Sequence, residues 1–360
     1  VSDTIRVTGI GDGYDVHVGA DSLASLGHRI REIADARRAV VITNDRVADL
    51  YLKTASQSLH EAGFDVIEVI TPDGERHKTM ATLQSVFDAV LPRHVERGTP
   101  VVGLGGGVTT DLAGFAAASM LRGMPYIAVP TSLLAMVDAS VGGKTGVNHA
   151  AGKNLIGAFH PASVVVIDPA TLATLPAREL QSGLAECVKH DVIRDAAHLT
   201  VMEQEAPAYL AGNAEALASL VSHNVRIKAK VVESDPFEQG ERAHLNFGHT
   251  FGHAFEKATD YAMTHGEAVA VGVRCACRVA EELGMMSPSD RDHVLRVLQA
   301  CDLPIDGVQA TVDDVLPIML TDKKVRGGRV RFVLPDGLGS ATIRDDVDPA
   351  LVRQVIEEAL

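Results

Sequence analysis

The stretch Asn246-Phe247-Gly248-His249-Thr250-Phe251-Gly252-His253, with His265 after it, offers half of a metal site and a further histidine for a substrate. In a helix over 247–256, His249 and His253 stand four residues apart and project from one face. Such a pair either caps and packs its helix or presents imidazole nitrogen to a cation. His265 adds a nitrogen after a turn, and a carboxylate from elsewhere would complete three protein ligands around a catalytic zinc with an open position. Glu186, in Leu184-Ala185-Glu186-Cys187-Val188-Lys189, is a candidate because an anionic oxygen coordinates well beside two neutral imidazoles. Its other reading is an ordinary helix salt bridge to Lys189, three residues on. Lys189 can stabilise an oxygen undergoing redox chemistry, and His190 can pack or donate beside it.

A second group of residues suits anions. Val101-Val102-Gly103-Leu104-Gly105-Gly106-Gly107-Val108-Thr109-Thr110-Asp111 reads as an apolar strand entering three consecutive glycines. That arrangement brings backbone N–H groups and a helix start to a pyrophosphate, or else makes a plain tight turn. It departs from the usual GxGxxG spacing. Asp111 can stabilise the helix start or orient a ligand. Arg122, Lys144 and Lys153 can neutralise phosphate and Asn154 can add directional hydrogen bonds, although any one of these lysines alone reads as solvated surface. The GxxxxGK[ST] spacing is absent, which argues against an ATP-dependent kinase. Lys228 and Arg242 can form a carboxylate clamp, and Lys323 or Lys324 can reach an anion or merely charge a turn.

The elements that must position these groups follow from periodicity. Tyr14 to Gly19 reads as a strand and turn, Ala39 to Thr43, Phe64 to Ile70, the apolar run from Val101 into the three glycines and Val164 to Ile167 as strands, Tyr126 to Val129 as an apolar stretch, and 54–63, 79–91 and 112–120 as helices. Alternation of this kind predicts an α/β, Rossmann-like first domain over 1–178 with a mainly parallel sheet. From about Glu179 the pattern is mainly helical, so a second domain is expected over 179–360, with helices over 268–282, parts of 289–299 and 349–360, and a strand at 330–334. A length of 360 residues is compatible with two domains. With 33 basic and 47 acidic residues the net charge is −14, which is no nucleic-acid footprint but permits a local basic pocket. Four cysteines without paired short spacing suggest reduced thiols. No targeting segment and no membrane span are expected, and a cytoplasmic location follows as an expectation.

Taken in order, Gly74-Glu75-Arg76-His77-Lys78, the segment from Gly105 to Asp111, Arg122-Gly123, Pro130-Thr131-Ser132-Leu133-Leu134, Asp138 to Asn154, Glu186 to Lys189, Arg242 to His253, His265-Gly266-Glu267 and Asp322-Lys323-Lys324 resemble the 3-dehydroquinate synthase family across nearly the whole chain. The resemblance implies a homodimeric phosphorus–oxygen lyase dependent on NAD and Zn²⁺, with Co²⁺ as a possible substitute. Its substrate would be a phosphorylated seven-carbon sugar acid, 3-deoxy-D-arabino-heptulosonate 7-phosphate. The implied reaction gives 3-dehydroquinate and phosphate through transient NAD-dependent oxidation at C5, phosphate elimination, reduction, ring opening and intramolecular aldol cyclisation. This is the second step of the shikimate route to aromatic amino acids.

Residue by residue, the resemblance implies that Glu186, His249 and His265 hold the metal. Asp138 and Lys189 would lie near the C5 oxygen, and Lys228 and Arg242 at the substrate carboxylate. Arg122, Lys144, Asn154, Asn246, His253 and Lys323 or Lys324 would serve the phosphate and neighbouring hydroxyls, Arg122 across the dimer. Catalytic roles would fall to Asp138, Lys144, Lys189, Asn246 and His253. Cofactor binding would fall to Asn44, Glu75, Lys78, Gly105, Gly106, Gly107, Asp111, Thr131, Ser132, Lys153 and Thr174. The chain departs from the family pattern at Asn44, where an acid is common, at Thr109-Thr110, at Ser132 and at Lys189-His190. A related cyclase making another cyclitol, or a noncatalytic protein that binds a phosphorylated metabolite, is the alternative. Asn246, His253, the paired lysines and Gly152-Lys153-Asn154 favour dehydroquinate formation.

Overall fold

The computed structural model describes residues 2–320 and 330–360. The chain divides into two compact units, one of Val1–Leu175 with Leu217–Phe237, the other of Pro176–Ala216 with Glu238–Leu360. The return of 217–237 to the first unit was not legible in the sequence, because its helical periodicity is the same whichever core receives it.

The first unit is built on a seven-stranded sheet. Its strands are β1 (Ser2–Val7), β2 (Tyr14–Gly19), β3 (Arg38–Asn44), β4 (Asp65–Thr71), β5 (Val101–Gly105), β6 (Tyr126–Pro130) and β9 (Val164–Ile167), in spatial order β1-β2-β9-β6-β5-β3-β4. Only β1–β2 is antiparallel; the other neighbours are parallel. The central strands β5, β6 and β9 are buried at every residue, as continuous Val, Leu and Ile runs require when both sheet faces are covered. Leu26, Ile30, Leu59, Val41, Val102 and Val166 belong to one apolar cluster there. The chain leaves β3 for β4 on one side, then returns to place β5 on the other side of β3. That reversal creates a switch point at the carboxyl ends of β3 and β5, where doubly wound sheets bind ligands.

Lys144, Lys153 and Asn154, read from the sequence as anion-binding groups, stand on an antiparallel hairpin of β7 (Lys144–His149) and β8 (Gly152–Phe159). Its glycines serve backbone contact: a Cβ on Gly157 would stand 2.1 Å from the Thr145 carbonyl oxygen. The helix after β5 begins at Gly107 rather than 112 and runs to Ser119. Asp111 therefore lies beyond the first turn, too far along to stabilise the helix start.

The second unit is mainly helical and adds the short pair β10 (Phe332–Pro335) and β11 (Ala341–Arg344). Three of its helices matter most: Ala177–Arg194, His249–Ala258 and His265–Glu282. The second starts at His249 instead of 247 because Gly248 adopts φ 78°, a left-handed conformation that a side chain would strain. Among the described residues no helix is long and apolar enough to cross a membrane.

Candidate functional site

Close helix packing in the second unit is set by small residues. A Cβ on Gly272 would lie 2.1 Å from the Gly248 carbonyl oxygen, and one on Gly266 would lie 2.2 Å from that of Ser182. Gly266 N–H also donates to Ser182 Oγ at 2.9 Å. These contacts bring the three helices together at backbone distance. The His265 helix starts with a capping box, in which Thr264 Oγ1 accepts from Glu267 N–H and the Glu267 carboxylate accepts from Thr264 N–H. Arg178, on the first turn of the Glu186 helix, grips both Glu267 oxygens at 2.7 and 2.6 Å. Burial would raise the Glu267 carboxyl, but Arg178 and the cap hold it below its ordinary value.

Glu186, His249 and His265 converge within this frame, their ligand atoms all within 4.8 Å of one another. Nε2 of His249 lies 3.5 Å and Nε2 of His265 lies 3.4 Å from Glu186 Oε1. Both Glu186 oxygens are buried, and neither makes a hydrogen bond of good geometry among the described residues. Lys189 forms an ion pair with the same carboxylate. Burial would push Glu186 up, yet Lys189 and the two histidines hold it well below the usual carboxylate range. Burial disfavours charge on His265, but Glu186 and Glu256 push its pKa up to about 10. A carboxylate with open lone pairs facing two imidazole nitrogens fits a divalent cation of the zinc type, which would displace the His265 proton. His253 stands one turn from His249, with ring centroids 5.2 Å apart, and Asn246 Nδ2 donates to Glu238 Oε1 at 2.8 Å. Arg242 is buried, 1% exposed.

In the first unit the cofactor candidates collect at strand ends. Asn44 closes β3, and its Nδ2 donates to Asp73 Oδ1 at 2.9 Å and to Thr109 Oγ1 at 3.4 Å, while its Oδ1 caps Val47 N–H at 2.8 Å. Gly105 and Gly106 lead from β5 into the Gly107–Ser119 helix. A Cβ on Gly105 would meet Thr109 at 2.7 Å and one on Gly106 would meet Ser132 Oγ at 3.3 Å. Bare backbone is thus required where a helix of 13 residues begins with no side-chain cap, which fits a pyrophosphate. Thr131 N–H donates to the Gly105 carbonyl oxygen at 3.0 Å, and Ser132 follows it. Thr174 hydrogen-bonds the Tyr51 hydroxyl at 2.6 Å.

Lys78 is buried and donates to Asp111 Oδ2 at 2.5 Å and Asn154 Oδ1 at 2.6 Å. Burial raises the Asp111 carboxyl despite Lys78 beside it. Glu75 Oε1 accepts from Asn148 Nδ2 at 2.7 Å, and Asn148 Oδ1 accepts from Asn154 N–H at 2.9 Å. Lys228 Nζ pairs with Asp138 Oδ1 at 2.5 Å and also reaches the Asp138 carbonyl. Lys153 is partly buried, whereas Lys144 and Arg122 are exposed, the latter with φ 65° next to Gly123.

The family model described as 3-dehydroquinate synthase N-terminal matches residues 68–182, and that described as 3-dehydroquinate synthase C-terminal matches 183–325. Curated 3-dehydroquinate synthases include one from Nitrosospira multiformis, 44% identical over 347 residues, covering 96% of this chain and 94% of that protein. The chain belongs to the 3-dehydroquinate synthase family. The Azotobacter vinelandii member is 46% identical over 335 residues, covering 92% and 90% of the two chains. Among solved structures, 2-epi-5-epi-valiolone synthase from Streptomyces hygroscopicus subsp. jinggangensis, with NAD⁺ and Zn²⁺ bound, is 30% identical with a TM-score of 0.88 and 98% coverage of each chain. A 2-deoxy-scyllo-inosose synthase complexed with carbaglucose-6-phosphate, NAD⁺ and Co²⁺ is 26% identical with a TM-score of 0.91, covering 99% of this chain and 100% of that one.

The expected metal ligands are therefore together in one unit, and Lys78, Asp111 and Asn154 are together in the other. Lys228 belongs to the first unit and Arg242 to the second. Lys323 and Lys324 lie outside the described residues. Sequence reasoning missed Asp73 and Asn148, which need the strand register to be found. It also missed Glu256, whose signal was available: 249, 253 and 256 share a helix face at i, i+4 and i+7.

Proposed function

We propose that the chain converts 3-deoxy-D-arabino-heptulosonate 7-phosphate into 3-dehydroquinate and phosphate, using NAD and a divalent metal, Zn²⁺ or in its place Co²⁺. The observation that carries this reading is the convergence of Glu186, His249 and His265 on one point beside Lys189. Family membership and the cofactors named for the two related cyclase structures support it. Glu186, His249 and His265 hold the metal. Asn44, Glu75, Lys78, Gly105 to Gly107, Asp111, Thr131, Ser132, Lys153 and Thr174 hold the dinucleotide. When bound, the cation supplies Lewis acidity towards a substrate oxygen and NAD supplies a hydride acceptor that is regenerated within one turnover.

The chain's own groups then orient the substrate and move protons. Lys189 and Asp138 serve the C5 oxygen, Lys189 as an ammonium already held at the metal carboxylate. Lys228 and Arg242 bind the carboxylate, point charge and planar fork together. Lys144, Asn154, Asn246, His253 and Lys323 or Lys324 hold the phosphate and hydroxyls and keep the proton-transfer groups in register for elimination and ring closure. Arg122, exposed on its left-handed turn, is assigned to the site of a second copy in a homodimer. The first unit is thus the nucleotide-binding domain and the second the metal and substrate domain, in a cytoplasmic enzyme.

Product identification tests the assignment. Incubation with the heptulosonate phosphate, NAD and Zn²⁺ is expected to yield 3-dehydroquinate and phosphate with no net NADH; another cyclitol, or unchanged substrate, would overturn it.

A further inference from the structure

The two histidines assigned to the metal are held in the same manner by different acceptors. His249 Nδ1 is 3.0 Å from the Phe247 carbonyl oxygen, while its Nε2 faces Glu186. His265 Nδ1 is 3.2 Å from Glu256 Oε2, while its Nε2 faces the same Glu186 oxygen. A carbonyl and an ionised carboxylate accept hydrogen bonds and cannot donate them, so the proton on each ring belongs on Nδ1. Once a cation displaces the second proton of His265, each Nε2 is the lone-pair nitrogen directed at the cation position. The acceptors differ in charge: His249 leans on a neutral peptide group and His265 on a side-chain carboxylate that is itself only 6% exposed. A buried carboxylate is costly without a donor, which favours a structural purpose for placing it there.

We propose that Glu256 is a positioning residue for the metal, fixing the tautomer and ring orientation of His265 and raising the basicity of its Nε2; this rests on the metal reading above. His249, His253 and Glu256 follow one another at i, i+4 and i+7 along the His249–Ala258 helix. One helix face thereby supplies a direct ligand, a substrate-side histidine and the carboxylate that steers a ligand from the next helix. The difference in acceptor also makes the two imidazoles unequal donors, with His265 the stronger.

Full-length protein with Glu256→Gln and Glu256→Leu tests this. Zn²⁺ affinity, measured by chelator competition, is expected to fall about 10- to 100-fold. The loss should be smaller for Gln, whose carbonyl oxygen can still accept from Nδ1, than for Leu. Visible absorption of the Co²⁺-loaded variants is expected to shift in band position or intensity. Wild-type Zn²⁺ affinity and an unchanged Co²⁺ spectrum in both variants would overturn the proposal, even with a lowered melting temperature in chelator. His265→Ala separates the two levels: if it leaves Zn²⁺ affinity unchanged, the metal assignment itself fails and the proposal with it.

Discussion

The two units organise their polar side chains in opposite ways. At Glu186, His249 and His265 the groups converge on one point, and among the described residues Glu186 Oε1 is left without a hydrogen bond of good geometry. At Lys78, Asp111 and Asn154, and again at Lys228 and Asp138, donors and acceptors close on one another. Glu186 divides its oxygens, Oε2 pairing with Lys189 while Oε1 faces the two imidazole nitrogens, and close helix crossings hold that division in place. An anion site can keep its ammonium groups on internal acids until a stronger acceptor takes them, since three donors can be shared. On the proposed reading the first arrangement is completed by a cation, whereas the second is satisfied by its own side chains.

The contrast is broken most severely by Glu186→Ala. Loss of the cation's Lewis acidity, worth several kcal/mol, is expected to lower kcat by about 10³-fold with loss of bound Zn²⁺, read by steady-state kinetics and metal analysis. Retained zinc and rate would show that the convergence is structural only. Lys78→Met probes the self-satisfied side. It leaves the partly buried Asp111 without its cation and is expected to cost about 2 kcal/mol in urea unfolding, with NAD affinity weakened. Stability within a few tenths of the parent would mean that the closed cluster is not self-stabilising.

Gly272→Ala sharpens the role of helix contact. Its Cβ would drive against the Gly248 carbonyl, and a loss of about 2 kcal/mol with weaker Zn²⁺ binding is expected from thermal unfolding and metal titration. The smallest effect is Glu267→Gln, at about 1 kcal/mol near neutral pH. Glu267 has a folded-state pKa below its ordinary 4.5, so its contribution is complete above that value and is lost as pH falls through the lower folded one. The stability gap between parent and variant should therefore close in acid; a gap that persists there would assign the effect to shape instead of charge.

Much of the fold was legible because period and composition report local geometry. The Val164–Ile167 strand and the helices near 53–61, 80–90 and 265–282 match their sequence patterns to within a few residues. The 144–159 hairpin was not legible, since the close strand pairing that its glycines serve depends on a register that composition does not show. The shift of Asp111 from a residue at the helix start to an ion-pair partner inside the helix has the same origin: three glycines conceal where a helix begins.

By themselves, residue types and spacing determined an α/β first domain before a mainly helical second, a cluster of histidines and a carboxylate suited to a metal and the glycine path into a helix start; the resemblance of the ordered motifs to the dehydroquinate synthase family then picked Glu186, His249 and His265 out of that cluster. Tertiary structure alone decided that 217–237 belongs with the first unit, that Lys78 and Lys228 are held by Asp111 and Asp138, and that Glu256 stands behind His265. The reason is physical. Ligand identity is carried by side-chain chemistry written in the chain, whereas the partner of each charged group depends on which backbones approach, and that is set by packing between residues far apart in sequence.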